Sequence, residues 1–418
     1  MYLNEVVRAQ KRGEAKGIPS ICSAHPWVLK AAMQNNAGNL LIEATCNQVN
    51  QFGGYTGMTP ADFIRYLRGI AEENKFPFQN IILGGDHLGP NVWQNEPAES
   101  AMQKSVVMMR DFVRAGFVKI HLDCSMRLGD DPKGALDMAV SAKRAAQLAK
   151  VAESSVGPGQ LLSYVIGTEV PVPGGAHEHE EGVSVTKVED ARHTIEVTRE
   201  AFYHEGLQSA WDRVIAVVVQ PGVEFGDDFV LEYHPEKAQE LSKFIESQAL
   251  VYEAHSTDYQ TRAALGKLVE DHFAILKVGP GLTFAFREAA FALAMMEDEL
   301  FPKDARSNLV RVLDDVMIQR PEYWGKYYRG SEDERTFKRK YSLSDRLRYY
   351  WTDTQVQAAL EKLLENLRKK PLPLSLVSQF APVQYQRIRR NEIPYTAEAI
   401  IMDYVQIVLR DYEAASGG

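Results

Sequence analysis

Hydrophobic and polar positions change their period repeatedly between residue 18 and about residue 300. Short, mostly apolar segments of strand length alternate with longer segments in which apolar residues recur every three or four positions, the spacing of an amphipathic helix. The eight apolar segments are IPSICSAH, NLLIEATC, NIILGGDH, FVKIHLDCS, LLSYVIGTEV, VIAVVVQPG, ALVYEAHS and FAILKVGPG. Strict alternation of strand and helix predicts right-handed crossovers and a parallel sheet.

Eight strand–helix units in this length predict a closed (β/α)8 barrel, the TIM barrel of the α/β class. An open, doubly wound sheet is the alternative, and it would place a glycine-rich phosphate-binding turn after the first strand. That strand is followed by SAHPWVLK, which contains no glycine. The closed barrel is therefore the favoured architecture.

The alternation stops near residue 300, and the rest of the chain has the period of helices. We predict helices in FPKDARSNLVRVLDDVMIQ, TDTQVQAALEKLLENLRKK and AEAIIMDYVQIVLRDYEAA, with a proline-rich connection in PLPLSLVSQFAP. An aromatic and basic block that ends in YSLSDRLRYYW lies among them. The predicted organisation is a barrel with a short N-terminal helix in 1–300 and a C-terminal helical extension, packed on the barrel, in 301–418.

Composition and charge exclude several classes of protein. The chain has 418 residues, of which 45% are hydrophobic, and a formal net charge of -9. This acidic balance gives no electrostatic case for binding nucleic acid or an anionic membrane. The longest apolar runs are far shorter than the ~20 residues of a membrane span, and the N-terminus lacks the apolar core of a signal peptide. We therefore predict a soluble, cytoplasmic protein without a nucleic-acid or membrane partner.

Catalytic residues of a (β/α)8 barrel lie at the carboxyl ends of its strands. Nearly every predicted strand here ends in polar or ionisable residues, namely His25, Glu43, Asn47, Asp86, His87, Asp123, Glu169, Gln220, His255, Asp258 and Lys277. Burial of so many polar groups is costly, and convergence on a shared charge would offset that cost. Imidazoles among carboxylates suit a divalent Zn, Mn, Ni or Co ion, whereas a magnesium site would use oxygen ligands alone.

Each of these residues also has a purely structural interpretation. Asp86 and His87 could be a capping acid and a core histidine, Glu169 a solvated loop acid, and Lys277 a side chain whose ammonium reaches solvent. The second histidine, His255, ends the seventh predicted strand as His87 ends the third. This repetition favours a shared metal ion, with His87 as a ligand and Asp86 beside it to act on the substrate.

Several long motifs resemble a single family of sugar-metabolising proteins. They are IEATCNQVNQFGGYTGM, GGDHLGPNVWQ, HLDCSM, GTEVPVPGG, YEAHSTDYQT, LKVGPGLTFAFREA and YSLSDRLRYYW. These motifs resemble the Z-type, non-catalytic subunits of tagatose-1,6-bisphosphate aldolase, a family also labelled tagatose-6-phosphate kinase that includes tagatose 4-epimerases. The resemblance extends over almost the whole chain. A more distant one links it to the class II, metal-dependent fructose-bisphosphate aldolases, which are also (β/α)8 barrels.

A role is predicted for each strand-end residue from its chemistry and, for Asp86, His87, Asp123, Glu169 and His255, from the resemblance to class II aldolases. Asp86 and Glu169 would be the acid/base pair that handles a substrate hydroxyl. The metal would be held by His87, Gln220, His255 and Glu169. The substrate would be contacted by His25, Glu43, Asn47, Asp123, Asp258 and Lys277.

The chain departs from the aldolase pattern at two places. Gln220 in VVVQPGVEF stands where aldolases have a histidine ligand, and an amide oxygen would bind the cation more weakly. HSTDYQT replaces a glycine-rich phosphate-binding turn, and its Asp258 would repel a phosphate. This departure favours a free or singly phosphorylated sugar. If the extension folds over the barrel mouth, the phosphate could instead be bound by Arg339, Lys340, Arg346 and Arg348.

These residues predict a metal-dependent ketohexose or ketohexose-phosphate epimerase that inverts carbon 4 and interconverts fructose and tagatose. A divalent ion would stabilise an ene-diolate, while a carboxylate takes the proton of the hydroxyl on carbon 4. The bond between carbons 3 and 4 would break and re-form in a retro-aldol/aldol sequence.

Two alternatives to the 4-epimerase stay open. One is a non-catalytic partner subunit that stabilises a class II tagatose-1,6-bisphosphate aldolase, and the other is a 3-epimerase acting on a ketohexose or hexuronate. A sugar kinase is disfavoured because no glycine-rich loop that could cradle phosphates is visible. The expected partners are the sugar, an aldolase catalytic subunit and further copies of this chain.

Overall fold

Eight parallel strands close into a barrel in which each strand pairs with the next and the last pairs with the first. The computed structural model describes residues 2–36, 38–168 and 183–417. In chain order, the first to eighth strands are Ile18–Ile21, Leu40–Thr45, Ile81–Leu88, Lys119–Leu122, Ser163–Gly167, Val214–Val218, Val251–Ala254 and Phe273–Val278. Each predicted apolar segment supplies one strand, so the TIM-barrel prediction is confirmed.

One long helix follows each barrel strand. These helices are Pro26–Asn35, Pro60–Glu73, Ala98–Ala115, Met138–Ser155, Val188–His204, Pro235–Glu246, Arg262–Glu270 and Pro280–Leu300. Four of them begin with proline, which is favoured there because the first helical residue needs no backbone N–H donor. Thr59 and Asp62 add a reciprocal capping box at the start of the second helix. The loops also contain the short helix Gln208–Trp211, the hairpin of Glu224–Phe225 with Val230–Leu231, and the 3-10 helices Gly54–Thr56, Phe78–Asn80 and Pro90–Trp93.

The barrel interior is apolar near the amino ends of the strands and charged near their carboxyl ends. The helix Tyr2–Lys11 packs its Leu3 and Val6 against an apolar layer formed by Ile18, Leu41, Ile82, Val165, Val251 and Ile275. Side chains two positions apart on a strand face the same side. Two positions beyond members of the apolar layer, the buried interior residues are Ser20, Glu43, Glu253 and Lys277.

The C-terminal part of the described chain is helical. Its helices are Leu309–Gln319, Glu332–Tyr341, Thr354–Lys369, Leu374–Phe380, Pro382–Arg389 and Ala397–Ala415, with short 3-10 helices at Pro321–Tyr323 and Arg346–Tyr350. The last helix packs against Pro26–Asn35 and Pro280–Leu300. Tyr412 on this helix donates a 2.7 Å hydrogen bond to the carbonyl oxygen of Thr257. The division of the chain at residue 300 stays a prediction.

The proline-rich segment 371–382 is not the simple connection that was predicted, because it contains the helix Leu374–Phe380. Pro373 caps that helix, and Pro382 is the first residue of the next one. Proline therefore separates two helices here without interrupting either, as its tolerance in a first helical turn allows. No helix in the described ranges has the length and apolar composition needed to cross a bilayer.

Candidate metal and substrate site

The third strand is distorted where it carries the Asp86–His87 pair. Its register with the fourth strand shifts between Gly85 and Leu88, and His87 has a φ of 46°. This left-handed conformation is uncommon for a non-glycine residue and recurs at functional sites, where the surrounding structure holds the strain. A Cβ on Gly89 would lie 1.7 Å from the carbonyl oxygen of Asp123. The glycine therefore permits the close approach of the two strands at this distortion.

Three imidazole rings converge at the carboxyl ends of the third, fourth and seventh strands. The ring centroids of His87 and His255 are 5.0 Å apart, and His121 lies 4.9 Å from the first and 5.3 Å from the second. Together with Asp86, each of these residues offers one ligand atom, and the four atoms lie within 4.8 Å of one another. A shared ion with ligands at about 2.0–2.2 Å needs only small side-chain shifts from this arrangement.

Two of the three rings are oriented by carboxylates. Nδ1 of His87 lies 2.8 Å from Asp123 Oδ2, and Nε2 of His255 lies 3.0 Å from Glu253 Oε1. Metal-binding histidines commonly donate their second ring nitrogen to a carboxylate in this way. The pairing leaves Nε2 of His87 and Nδ1 of His255 to act as ligands.

The third ring, His121, has its protonation pattern fixed by the backbone. Its Nε2 is 2.9 Å from the carbonyl oxygen of Gly167, which can only accept a hydrogen bond, so Nε2 carries the proton. Nδ1 lies 3.0 Å from Asp86 Oδ1. Burial opposes protonation of this ring, but the Asp86 carboxylate raises the pKa of His121 above its usual value. Nδ1 also accepts a 3.3 Å hydrogen bond from the backbone N–H of His87, and a proton or a cation shared with Asp86 would compete with this bond.

A buried network of charges surrounds the imidazole cluster. Lys119, on the fourth strand, contacts Glu43 and lies 2.6 Å from Glu253 Oε2, while Lys277 contacts Asp86. Burial raises the pKa of Glu43 to about 7. Burial also favours the neutral form of Asp86, yet His87 and Lys277 hold the pKa of that carboxyl well below its usual range. Asp86 is therefore a carboxylate at neutral pH.

Two adjoining cavities of about 100 and 560 Å³ border the cluster. Both are lined by Thr45, Asn47, Tyr55, His87 and Tyr349. The smaller cavity is also lined by Asp86, His255, Asp258, Lys277 and Arg348, and the larger by Asp123, Lys326, Tyr327 and Arg346. The C-terminal extension therefore contributes side chains to the barrel mouth.

Residues 3–417 match the family described as D-tagatose-1,6-bisphosphate aldolase subunit GatZ/KbaZ-like. The chain belongs to this family. A protein of Salmonella gallinarum named D-tagatose-1,6-bisphosphate aldolase subunit GatZ is 52% identical over 415 residues, which are 98% of each chain. The resemblance to Z-type aldolase subunits is thus confirmed over almost the full sequence.

Solved structures share the GatZ/KbaZ-like fold. The crystal structure of a probable tagatose 6 phosphate kinase from Sinorhizobium meliloti 1021 has a TM-score of 0.88 and 47% identity, covering 96% of this chain and all of that one. A fructuronate-tagaturonate epimerase, UxaE from Cohnella laeviribosi, has a TM-score of 0.51 and 10% identity, covering 95% of this chain and 81% of that one. At so low an identity, the second similarity shows the fold alone.

Most of the predicted site residues come together in this GatZ/KbaZ-like chain. Those that line the cavities are Asn47, Asp86, His87, Asp123, His255, Asp258 and Lys277. Glu43 is fully buried in the charge network and lines neither cavity. Glu169, predicted as acid/base and metal ligand, lies outside the described residues.

Two predicted residues lie elsewhere. His25 packs against Phe286, with ring centroids 4.2 Å apart, and burial lowers its pKa to about 3, so the ring is neutral. The side-chain oxygen of Gln220 accepts hydrogen bonds from the backbone N–H groups of Gly222, at 2.7 Å, and Val223, at 3.1 Å. Neither residue lines either of the two cavities described above, and the third imidazole of the cluster belongs to His121.

Sequence reasoning missed His121, Lys119 and Glu253, because it considered only the last residues of each strand. The signal was present in FVKIHLDCS and YEAHS, where polar residues alternate with apolar ones inside the segment. In a closed barrel, such a polar residue at every second position points into the interior. The charged layer could have been found by that alternation.

Proposed function

We propose that this chain is the partner subunit of a D-tagatose-1,6-bisphosphate aldolase, and that its own barrel binds a divalent cation and a ketose. The family and the 52% identical relative, which is named as a subunit of that aldolase, support the partnership. The imidazole cluster supports retention of a binding site. The position of one carboxylate, that of Asp258, supports a role other than bisphosphate cleavage by the chain alone.

The Asp258 carboxylate occupies the place where a (β/α)8 barrel usually binds phosphate. Its Oδ1 accepts hydrogen bonds from the backbone N–H groups of Gly279, at 2.9 Å, and Gly281, at 2.7 Å, at the start of the helix Pro280–Leu300. Free amides at a helix N-terminus after the last strands are the usual phosphate ligands of this fold. Since a carboxylate of the chain already uses these amides, one phosphate of a bisphosphate substrate loses its binding site.

The described residues fit a divalent cation. Asp86 and one ring nitrogen each of His87, His121 and His255 would hold it, and Asp123 and Glu253 would orient two of the rings. The nitrogen of His121 would be Nδ1, whose contacts with Asp86 and the backbone N–H of His87 the cation would replace. Three imidazoles and a carboxylate suit Zn, Mn, Ni or Co. When bound, such an ion supplies Lewis-acid polarisation of the ketose carbonyl.

A second candidate function is ketohexose 4-epimerisation, and it is favoured by the contact between Asp86 and Lys277 beside the imidazole cluster. Asp86 is ionised, so it would accept the proton of the hydroxyl on carbon 4, while the Lys277 ammonium would donate a hydrogen bond to a sugar oxygen. The bond between carbons 3 and 4 would then break. Its re-formation on the opposite face of the aldehyde fragment would invert carbon 4.

The proposed partnership is tested by co-purification of this chain with a tagatose-1,6-bisphosphate aldolase catalytic subunit. We expect a complex in size-exclusion chromatography and a longer half-life of aldolase activity at elevated temperature than for the catalytic subunit alone. The Asp86→Asn variant, once circular dichroism has shown it to be folded, should stabilise the catalytic subunit as well as the wild type, because Asp86 is buried in the barrel and cannot contact a partner chain. A catalytic subunit that neither binds this chain nor is stabilised by it would contradict the partnership.

The epimerase candidate is tested with the isolated chain, Mn or Ni, and fructose or tagatose. The interconversion should fall by about 10²–10⁴-fold in Asp86→Asn, the range that general-base catalysis contributes. The control Asp304→Asn removes an exposed carboxylate far from the cluster in sequence and should leave the rate unchanged. Absence of interconversion in the metal-loaded wild type would leave only the partner role.

A further inference from the structure

Arg348 reaches the candidate site from the C-terminal extension. It lies on the short helix Arg346–Tyr350 and lines the smaller cavity together with His87, Asp258 and Lys277. It is therefore a cation supplied by a different part of the chain from the strand ends. Of the four basic residues considered from the sequence, Arg348 alone lines the same cavity as Asp86 and His255.

The Arg348 guanidinium is held by several hydrogen bonds, but not all of its N–H donors have an acceptor. Nη1 donates to the carbonyl oxygens of Ser344, at 2.5 Å, and Asp345, at 3.0 Å, and Nη2 donates to the hydroxyl of Tyr349 at 2.9 Å. The guanidinium carbon lies 4.4 Å from the centroid of the Tyr349 ring. Three of the five N–H donors of an arginine thus have acceptors among the described residues, and two remain for a ligand.

No carboxylate oxygen of the described residues lies within the 4.0 Å ion-pair distance of the Arg348 guanidinium. Arg339, in the preceding helix, shows the ordinary alternative, since it pairs with Asp314 at 2.6 Å and Glu332 at 3.2 Å. Burial of the Arg348 guanidinium carries a desolvation cost, which is offset among the described residues by neutral acceptors and, from beyond ion-pair distance, by the Asp345 carboxylate. An anionic ligand in the cavity would offset this cost directly, at hydrogen-bond distance.

We propose that Arg348 binds the phosphate group of a ketohexose monophosphate whose carbon chain lies against the imidazole cluster. This inference rests on the proposed ketose site and names its substrate class. Asp258 fills the helix N-terminus that would otherwise receive the phosphate. A phosphate monoester carries a charge of about −1.5 to −2 near neutral pH, so it gains more from an unpaired guanidinium than a carboxylate does.

Calorimetric titration of the isolated, Mn-loaded chain with fructose, fructose 6-phosphate and fructuronate tests this proposal. We expect fructose 6-phosphate to bind about 10- to 100-fold more tightly than fructose, the effect of a charge-assisted hydrogen bond. Arg348→Gln should remove this preference, so that fructose 6-phosphate and fructose bind with similar affinity, while Arg348→Lys should keep part of it. The control Arg390→Gln removes an exposed arginine and should change neither affinity.

A second measurement needs no variant and remains informative if Arg348→Gln does not fold. Arginine-specific labelling of the wild type, mapped by mass spectrometry, should show protection of Arg348 by fructose 6-phosphate but not by fructose. Equal affinity for the two sugars, loss of the preference in Arg346→Gln instead, tighter binding of fructuronate, or an unprotected Arg348 would each overturn the proposal. Failure of the ketose site itself would look different, because neither sugar would bind and no metal would be retained.

Discussion

The imidazole of His87 and the carboxylate of Asp123 are joined by a 2.8 Å contact between Nδ1 and Oδ2. Asp123 is itself fixed by Asn91, which donates to Oδ2 at 3.0 Å, and by the hydroxyl of Ser125, which donates to Oδ1 at 2.7 Å. Burial opposes ionisation of Asp123, but its hydrogen bond with His87 lowers the pKa of the carboxyl. Asp123 was predicted to contact substrate, and its geometry shows that it also orients the His87 ring.

Replacement of Asp123 by asparagine should weaken metal binding without altering the shape of the site. The amide keeps the size of the side chain but no longer draws the Nδ1 proton of His87, so affinity for Zn, Mn or Ni should fall by about 10–100-fold. Competition with a chromophoric chelator measures this affinity. Asp304→Asn is the matched surface control. An unchanged metal affinity in Asp123→Asn would show that Asp123 does not orient the His87 ring for metal binding.

His121 and Gln220 are the two candidates for the metal ligand that accompanies His87 and His255, and their variants should give opposite results. We expect His121→Ala to reduce metal affinity at least as much as Asp123→Asn, because its Nδ1 lies beside Asp86 within the cluster. Gln220→Ala should leave the metal affinity unchanged, because the Gln220 oxygen already accepts hydrogen bonds from the backbone N–H groups of Gly222 and Val223. The same chelator competition decides between them, and the reverse result would restore Gln220 as the ligand.

Removal of the Lys119 charge should lower the free energy of unfolding more than most single substitutions do. In Lys119→Met, the buried carboxylates of Glu43 and Glu253 would face each other without a cation, and loss of one partner of a buried ion pair costs about 3–5 kcal/mol. Urea unfolding followed by tryptophan fluorescence at neutral pH measures this loss. Lys303→Met, at an exposed position, should change the free energy of unfolding by no more than about 0.5 kcal/mol.

Glu224 should make the stability of the protein depend on pH. Burial raises its pKa from 4.5 to about 7, so the folded state holds this proton more tightly than the unfolded state. The resulting stabilisation is complete below about pH 4.5 and is lost as the pH rises through about 7. Each pH unit between the two pKa values corresponds to about 1.4 kcal/mol, which gives an upper limit of about 3 kcal/mol.

The Glu224→Gln variant isolates this contribution. We expect the free energy of unfolding of Glu224→Gln, relative to the wild type, to increase between pH 5 and pH 8, because only the wild type must ionise a buried carboxyl. Urea midpoints at the two pH values measure the difference. The exposed Glu361→Gln serves as the control, and a difference independent of pH would contradict the raised pKa of Glu224.

The barrel, and part of the cluster around His87, could be predicted from the pattern of residues along the chain. Strand and helix periods are local properties, and their strict alternation permits few topologies, so the eight strands followed directly from the pattern. The proximity of Asp86, His87, His255 and Lys277, which line one cavity, was predictable for the same reason: the carboxyl ends of parallel strands share one edge of the sheet. Residues at the ends of such strands lie near one another, and this does not depend on how the side chains pack in detail.

Only the tertiary structure decided which side chains complete the cluster and which leave it. The alternation in FVKIHLDCS indicates that Lys119 and His121 face the interior, but the depth at which they meet other side chains depends on the stagger of strands that are distant in sequence. Gln220 and His25 lie outside the cluster, where the Gln220 oxygen accepts hydrogen bonds from backbone amides and the His25 ring packs against Phe286. Arg348 enters the mouth through a contact between segments separated by hundreds of residues, and such long-range packing has no period or motif by which a local pattern could reveal it.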